Sequence, residues 1–291
     1  MKKVVVVTDS SATVPADLVQ ELDIRVVPIL LALDGHTFRD GVDITAVEVY
    51  RWLRESKHLS TTSAPSVGDF LRVYAAVAQE ASGIVSIHLS PKLSATYNSA
   101  VTASQLVDGP DGHPFHAIRV VNCHTAAMGQ GFVVLAAARA AAAGADLETI
   151  VARAQEVAGR MNLLATIGTL EYLHRGGRIG GAATLLGTML QIKPVLYVAD
   201  GHVDVFARPR TLTKALGVML QQMAERIQRV GHAPRPLHVA ILHAAEPEKA
   251  EALRQQVAEQ FDCAELYVTE LTPVMGAHTG PGVLGVVFYT E

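Results

Sequence analysis

Three hydroxyl-rich segments carry side chains that are suited to binding an anion. They lie at residues 8–11, 60–66 and 90–94. The last two directly precede stretches with a helical pattern, and helix N-termini present unpaired N–H groups and a partial positive charge. Together the segments predict an anion site built from neutral hydroxyls. Helix capping is the alternative for each one, since Ser and Thr are favoured N-caps.

Two further segments are unusual in composition. Residues 170–181 combine four glycines with Arg175 and Arg178, which indicates a backbone that turns tightly and holds a guanidinium in place. A flexible surface loop with solvated arginines is the alternative. Near the C-terminus, His278 begins a His-Thr-Gly-Pro-Gly stretch.

Several catalytic and cofactor motifs are missing from the sequence. It contains no Gly-x-Ser-x-Gly, no His-Glu-x-x-His and no Gly-Lys pair for a phosphate-binding loop. The 12 histidines are scattered without metal-ligand spacing. Residues 280–285 match Gly-x-Gly-x-x-Gly, but only the six residues 286–291 follow, too few for the helix and strand of a dinucleotide-binding unit. We therefore expect no metal and no cofactor.

Composition excludes several classes of protein. The chain has 291 residues, 49% of them hydrophobic, with a net charge of −4, which argues against disorder. A pI near 6.3 argues against nucleic-acid binding. The longest apolar run, residues 26–33, is too short to span a bilayer, so we expect no stable membrane insertion. Two cysteines 140 positions apart, Cys123 and Cys263, fit a reducing, cytoplasmic compartment.

The first half of the chain alternates between strand and helix patterns. Strands are predicted at residues 4–7, 24–32, 84–88 and 118–121. Helices are predicted at residues 46–54, 67–79, 95–106, 129–143 and 146–161. This alternation predicts a mostly parallel sheet with helices on both faces. The three hydroxyl-rich segments would then lie at the carboxyl ends of strands, where open α/β folds bind ligands.

The second half has a different pattern. Asp200-Gly201 is a strong hairpin signal between strands at residues 194–198 and 202–206. Further helices are predicted at residues 212–230 and 247–260, and further strands at 237–242, 266–270 and 283–289. The hairpin predicts a mixed or antiparallel sheet. We therefore expect an α/β protein of two domains, residues 1–160 and 161–291.

The segments above, in their order, resemble the DegV family of bacterial fatty-acid-binding proteins. The shared motifs are Thr8-Asp-Ser10, Phe38-Arg-Asp-Gly41, Thr62-Ser-Ala-Pro-Ser66, Ser90-Pro-Lys-Leu-Ser94 with the following Ala-Thr-Tyr-Asn-Ser-Ala100, Leu170-Glu-Tyr-Leu-His-Arg-Gly-Gly-Arg-Ile179, Ile192-Lys-Pro194 and His278-Thr-Gly-Pro-Gly282. No single motif is decisive, but so many in the same order are specific, and they run nearly from end to end.

The resemblance implies a long-chain fatty acid, such as palmitate, enclosed between two α/β domains. It implies that Thr62 and Ser94 hold the carboxylate, with Arg178 and His278 close to it. It also implies a binding protein without catalysis of its own, which presents the acid to a separate ATP-dependent fatty acid kinase. Arg208 and Arg210, after the hairpin, are candidates for contact with that partner, or belong to an ordinary solvated turn.

The sequence departs from the family pattern at two places. Ala95 replaces the usual glycine after Ser94, and Asn122-Cys123 replaces the usual Asp-Ser. Neither change removes a residue of the implied site. A serine-dependent hydrolase or acyl transferase, with Ser94 as nucleophile and His278 or His88 as base, is the alternative function. A purely structural or interaction protein is the other alternative, and it predicts no bound lipid.

Overall fold

The computed structural model describes residues 3–56, 58, 60–109, 111–113, 115–187, 192–229 and 235–291. Strands lie at Val4–Asp9 (β1), Arg25–Val27 (β2), Leu30–Leu33 (β3), His36–Arg39 (β4), Thr61–Ser63 (β5), Gly83–His88 (β6), Ile118–Asn122 (β7), Asn162–Thr166 (β8), Val195–Ala199 (β9), His202–Ala207 (β10), Leu237–His243 (β11), Glu265–Glu270 (β12) and Leu284–Thr290 (β13). Helices lie at Ala16–Glu21 (α1), Ala46–Glu55 (α2), Val67–Glu80 (α3), Thr96–Ser104 (α4), Met128–Ala142 (α5), Leu147–Arg160 (α6), Glu171–Arg175 (α7), Leu212–Arg229 (α8), Pro247–Gln260 (α9) and Pro273–Thr279 (α10).

The first sheet is parallel, as predicted, with strand order β2-β1-β6-β7. Alternate valines of β1 face opposite layers, which explains its continuous apolar run. Val5 and Val7 pack with the buried residues of α3 and α4, including Phe70. Val4 and Val6 belong to the core on the other side, where α5 and α6 lie.

The second sheet is mixed, with order β10-β9-β8-β13-β11-β12, in which only β11 and β12 are parallel neighbours among the described strands. Helices α8 and α9 cover its outer face. Helix α5 contacts both β1 and β13, so it lies between the two sheets. A helix in that position is apolar all round, which explains its alanine-rich sequence. The α/β prediction with a parallel and a mixed sheet is confirmed.

The single strand predicted at residues 24–32 is wrong. Strands β2 and β3 flank Pro28 and belong to different sheets. Proline has no N–H to donate to a sheet, so the chain leaves the first sheet there. Strands β4 and β8 and the short helices α1, α7 and α10 were not predicted, because none of them has a long periodic pattern.

The location of residues 60–66 at the end of a parallel strand is also wrong. Residues Thr61–Ser63 form β5, which pairs with β3 in a three-stranded antiparallel sheet of order β4-β3-β5. Threonine, being β-branched, suits such a strand. This small sheet packs against α10. It thereby brings a segment of the first half next to the C-terminal His-Thr-Gly-Pro-Gly stretch.

The Asp200-Gly201 hairpin is confirmed between β9 and β10. Asp200 and Gly201 both have positive φ, 49° and 72°, as a two-residue hairpin turn requires. The boundary of two domains near residue 160 stays a prediction. The largest buried cluster contains residues from both sides of that boundary, from Val4 to Tyr289.

Candidate functional site

A cavity of about 340 Å³ lies between the two halves of the chain. Its volume is within the usual range for small-molecule sites, roughly 300–1,000 Å³. Most of its wall is apolar and comes from β8 to β11 and from the segments before and after α10, including Leu163, Ile167, Leu196, Val198, Val203, Leu242, Leu271 and Val283. Sequence reasoning assigned none of these contacts, because buried apolar residues look alike whether they line a cavity or fill a core.

All four residues implied by the resemblance line this one cavity. Thr62 comes from β5, Ser94 from the loop before α4, Arg178 from the segment after α7, and His278 from the last turn of α10. Each is partly exposed, and the neighbouring Ala95 is exposed. We call this part of the cavity, defined by these four side chains, the polar end.

Thr62 and His278 are in direct contact across the polar end. The Thr62 Oγ1 atom lies 2.7 Å from His278 Nε2. Burial, followed by the positive charge of Arg178, lowers the pKa of His278 to about 4. His278 is therefore neutral at pH 7. With its proton on Nε2, it donates to Thr62, and the Thr62 hydroxyl proton is left to donate to a ligand.

The other imidazole nitrogen of His278 lies over Gly176. Nδ1 of His278 is buried and has no hydrogen-bond partner within the described part of the chain. A Cβ atom at Gly176 would lie only 2.4 Å from this Nδ1. The first glycine of the Arg-Gly-Gly-Arg stretch therefore makes room for the imidazole, a role that the sequence alone did not reveal.

Arg178 is held by two backbone carbonyls. Its Nε donates to Leu93 O at 2.9 Å, and its Nη1 donates to Gly176 O at 2.5 Å. A guanidinium has further N–H groups beyond these two. Arg178 is therefore a fixed positive charge with donors to spare, and it ties the second half of the chain to the loop that carries Ser94.

Ser94 lines the cavity and contacts the first residue of α4. Ser94 Oγ accepts from Thr96 N at 3.3 Å and lies 2.9 Å from Thr96 Oγ1. The N-cap of α4 is Ala95, which makes no side-chain capping bond, so Ser94 is not the cap of this helix. In the segment at residues 60–66 the cap is Ser66, which forms a capping box with Asp69, while Thr62 lies in a strand and caps no helix.

The two departures from the family pattern leave the polar end intact. Ala95 has φ −71°, an ordinary right-handed conformation, so no glycine is required there. Cys123 is fully buried, and burial raises the pKa of its thiol to about 12. Asn122 and Cys123 are absent from the cavity wall, which this loop lines through Ala126 and Ala127.

The geometry does not favour a serine nucleophile. Ser94 Oγ contacts Thr96, while His278 contacts Thr62. His88, the other suggested base, is in a separate buried network: its Nδ1 lies 2.7 Å from Asp9 Oδ2 and its Nε2 lies 2.7 Å from Ser86 Oγ.

This Asp9–His88–Ser86 network was not anticipated, although Ser86 and His88 alternate along a predicted strand. All three side chains are fully buried, and Tyr74 Oη donates to Ser86 Oγ at 2.7 Å. None of the three lines the cavity. A hydroxyl without access to a ligand cannot act as a nucleophile, so the network fastens β1, β6 and α3 together.

The described residues contain neither a cluster of metal ligands nor a membrane-spanning helix. In the described residues, no group of three or more His, Cys, Asp or Glu side chains is arranged to hold a metal ion. Across the same residues, none of the helices has the length and apolar character needed to cross a bilayer.

Known proteins resemble this chain over its whole length. A sequence model of the DegV family, described as uncharacterised proteins, matches residues 3–291. A DegV domain-containing protein of Mycobacterium tuberculosis is 37% identical over 286 residues, which cover 97% of this chain and 96% of that protein.

Solved structures agree with the sequence matches. A DegV family protein from Thermus thermophilus, described as binding fatty acid, has a TM-score of 0.91 and 36% identity, covering 99% of this chain and 100% of that one. DegV of Bacillus subtilis, described as a fatty acid binding protein, has a TM-score of 0.88 and 26% identity over 100% of both chains.

Proposed function

This chain belongs to the DegV family, and on this basis we propose that it binds one long-chain fatty acid, such as palmitate, in the cavity between its two halves. The two domains, residues 1–160 and 161–291, enclose the acid. Thr62, Ser94, Arg178 and His278 hold the carboxylate. The relatives from Thermus thermophilus and Bacillus subtilis, both described as binding fatty acids, support this proposal.

The observation that carries the proposal is the division of the cavity wall. Four polar side chains meet at one partly exposed end, and most of the remaining wall is apolar. The two other polar residues of the wall, Ser11 and Thr279, have hydroxyls that already bond within the protein, to Gln130 Oε1 and to Met275 O. A ligand that matches this wall has one anionic group and a long apolar chain. Fatty acids are the simplest molecules with both features.

The apolar chain supplies most of the binding free energy. Burying a chain of about sixteen carbons contributes roughly 0.8 kcal/mol per CH₂, which is on the order of 10 kcal/mol before the costs of binding. A net hydrogen bond contributes about 1 kcal/mol, and somewhat more to a charged group. The tail therefore sets affinity, and the polar end sets orientation.

The polar end stabilises the carboxylate in its charged form. An unpaired carboxylate in an apolar cavity would be costly. Arg178 supplies a positive charge, and Thr62 and Ser94 supply hydroxyl donors, while neutral His278 orients the Thr62 hydroxyl. The bound acid is thereby kept ionised, the form in which its oxygen is a nucleophile.

The protein presents this carboxylate to a separate ATP-dependent fatty acid kinase in the cytoplasm. In the kinase reaction a carboxylate oxygen attacks the γ-phosphorus of ATP, the bond to ADP breaks, and an acyl phosphate forms. Two features support presentation: exposed Ala95 lies beside the polar end, and the sequence has no phosphate-binding loop for ATP. Arg208 and Arg210 are exposed and remain candidates for the docking surface.

Mass spectrometry of the purified protein tests the binding proposal first. We expect the native mass to exceed the denatured mass by one fatty acid per chain, and the released acid to identify the preferred chain length. A protein that is empty and takes up no added palmitate would overturn the proposal. Formation of acyl phosphate only when this protein, a fatty acid kinase subunit, palmitate and ATP are all present would test presentation.

A further inference from the structure

The tip of the β9–β10 hairpin rests on the loop that leads to Ser94. Gly201 is buried, and its N–H donates to His124 O at 3.0 Å. A Cβ atom at Gly201 would lie 2.0 Å from Ser90 Oγ and 2.3 Å from Ser90 Cβ. Only glycine allows so close an approach, so position 201 serves a contact as well as a turn.

Ser90 organises the backbone that reaches the polar end. Its carbonyl oxygen accepts from Leu93 N at 2.9 Å and from Ser94 N at 3.2 Å. The carbonyl oxygen of Leu93 in turn accepts from Arg178 Nε. A displacement of Ser90 would therefore move Ser94 directly, and would also move the group that holds Arg178.

We propose that Gly201 is a positioning residue for the polar end, acting through Ser90 on Ser94 and Arg178. This inference rests on the proposed function. The same hairpin carries Leu196, Val198 and Val203, which line the cavity. The β9–β10 hairpin thus forms part of the apolar wall that contacts the ligand's tail. Through its tip, the same hairpin positions the groups that bind the carboxylate.

The chain contains a matched control for this contact. Asp34-Gly35, between β3 and β4, is a second Asp-Gly hairpin turn, with φ values of 47° and 81° that resemble those of Asp200 and Gly201. Nothing lies within 4 Å of a Cβ atom placed at Gly35. Gly35→Ala therefore introduces the same backbone strain as Gly201→Ala without the collision.

The test uses [1-¹³C]palmitic acid as the probe, with NMR of its carboxyl carbon and a measured dissociation rate. In Gly201→Ala we expect the bound carboxyl resonance to move towards its position in Ser94→Ala and dissociation to accelerate roughly tenfold. In Gly35→Ala both readouts should match the wild type, although the shared backbone strain lowers the thermal stability of both glycine variants. Adding Ser90→Gly to Gly201→Ala removes the colliding atoms and should restore the resonance.

Ser90→Val crowds the same contact from the other side and leaves the backbone at Gly201 unstrained, so it should reproduce the effect of Gly201→Ala. An unchanged resonance in Gly201→Ala, an equal change in Gly35→Ala or a failure of Ser90→Gly to rescue would each overturn the inference. If instead the wild type gives no bound resonance, the proposed function itself fails.

Discussion

The hydroxyl oxygen of Thr62 lies 2.7 Å from Nε2 of His278, although the two residues are 216 positions apart in the chain. The contact joins β5 of the small antiparallel sheet to the last turn of α10. A hydroxyl that both accepts from a neutral imidazole and donates to a ligand has a defined direction. With the imidazole proton on Nε2, the pair therefore orients a donor at the polar end of the cavity.

His278 should respond to an anionic ligand by taking up a proton more readily. Burial and Arg178 lower its pKa to about 4 in the empty protein, and a nearby carboxylate favours the imidazolium. We expect NMR titration of the His278 ring, assigned by comparison with His278→Gln, to give a midpoint near 4 without ligand and a higher one with palmitate. An unchanged midpoint would place the carboxylate elsewhere.

The same group contributes to the pH dependence of stability. Because its pKa is lower in the folded than in the unfolded protein, the unfolded state binds more protons between about pH 4 and pH 6.5. The contribution of His278 to the free energy of unfolding therefore falls as the pH decreases through this range. His278→Gln removes this contribution, so its stability should decline less on acidification.

Thr62→Ala and Ser94→Ala should weaken fixation of the carboxylate more than uptake of lipid. The apolar wall is unchanged in both variants, so native mass spectrometry should still show about one fatty acid per chain. Loss of a hydrogen bond to a charged group should accelerate palmitate dissociation roughly tenfold. Near-complete loss of bound lipid in both variants, with folding intact, would contradict this division of roles.

The sequence predicted the framework of the fold better than the site. A continuous apolar run identified β1, and Asp200-Gly201 identified the β9–β10 hairpin, because these signals are local. Strand β8, with the sequence Asn-Leu-Leu-Ala-Thr, has neither strict alternation nor a β-branched run, and it lies between β9 and β13 through non-local pairing.

The site depended on long-range contacts that local patterns do not encode. Hydroxyl-rich loops suggested an anion site, but the residues Thr62, Ser94, Arg178 and His278 came from the family resemblance. The role of Gly176 under His278, and that of Gly201 against Ser90, follow from approaches between distant segments. The only sign of such a close contact in the sequence is a glycine, and a glycine is equally consistent with a simple turn.

Gly176→Ala should displace His278 without straining the backbone. Gly176 has φ −74°, which alanine adopts readily, but the new Cβ would lie 2.4 Å from Nδ1 of His278. We expect a shifted His278 ring resonance and faster palmitate dissociation. The neighbouring Gly177→Ala is the control: it has φ 71° and no atom within 4 Å of the added carbon, so it should lower stability and leave His278 in place.

The substitution Arg178→Lys should retain the positive charge, but the side chain should no longer be held in a fixed position. Lysine cannot reproduce the paired bonds from Nε to Leu93 O and from Nη1 to Gly176 O. The carboxylate should remain attracted, so palmitate still binds, but its carboxyl ¹³C resonance should broaden as the head group becomes mobile. Arg178→Gln lacks the charge as well and should dissociate faster than the lysine variant. Equal palmitate dissociation rates in the two variants would show that the charge of Arg178 is not its main contribution to binding.

Asp40 anchors the start of α10, the helix that carries His278. Its Oδ1 accepts from Val274 N at 3.0 Å, while its Oδ2 is buried without a hydrogen-bond partner in the described residues. Burial raises the pKa of Asp40 to about 6, although polar contacts with Ser10, Val274 and Thr272 partly offset this increase. The ionised carboxylate is therefore costly at neutral pH, while one acceptor atom is enough to hold the helix.

Asp40→Asn should consequently stabilise the protein above pH 6. The folded protein binds a proton at Asp40 more tightly than the unfolded chain does, so this residue's contribution to stability is lost as pH rises from about 4 through 6. Asparagine keeps an oxygen for Val274 N and carries no charge. We expect a gain on the order of 1–2 kcal/mol at pH 7.5, measured by urea unfolding, and little or none at pH 4.

The control for Asp40→Asn is the same substitution at Asp43, three positions along the chain. Asp43 is paired with Arg39 on the surface, and these bonds lower its pKa to about 2. Asp43→Asn should slightly destabilise the protein at pH 7.5, the opposite sign. If Asp40→Asn were also destabilising at pH 7.5, the charge of Asp40 would be stabilising α10. The free-energy cost of burying that charge would then be smaller than the stabilisation that its hydrogen bonds provide.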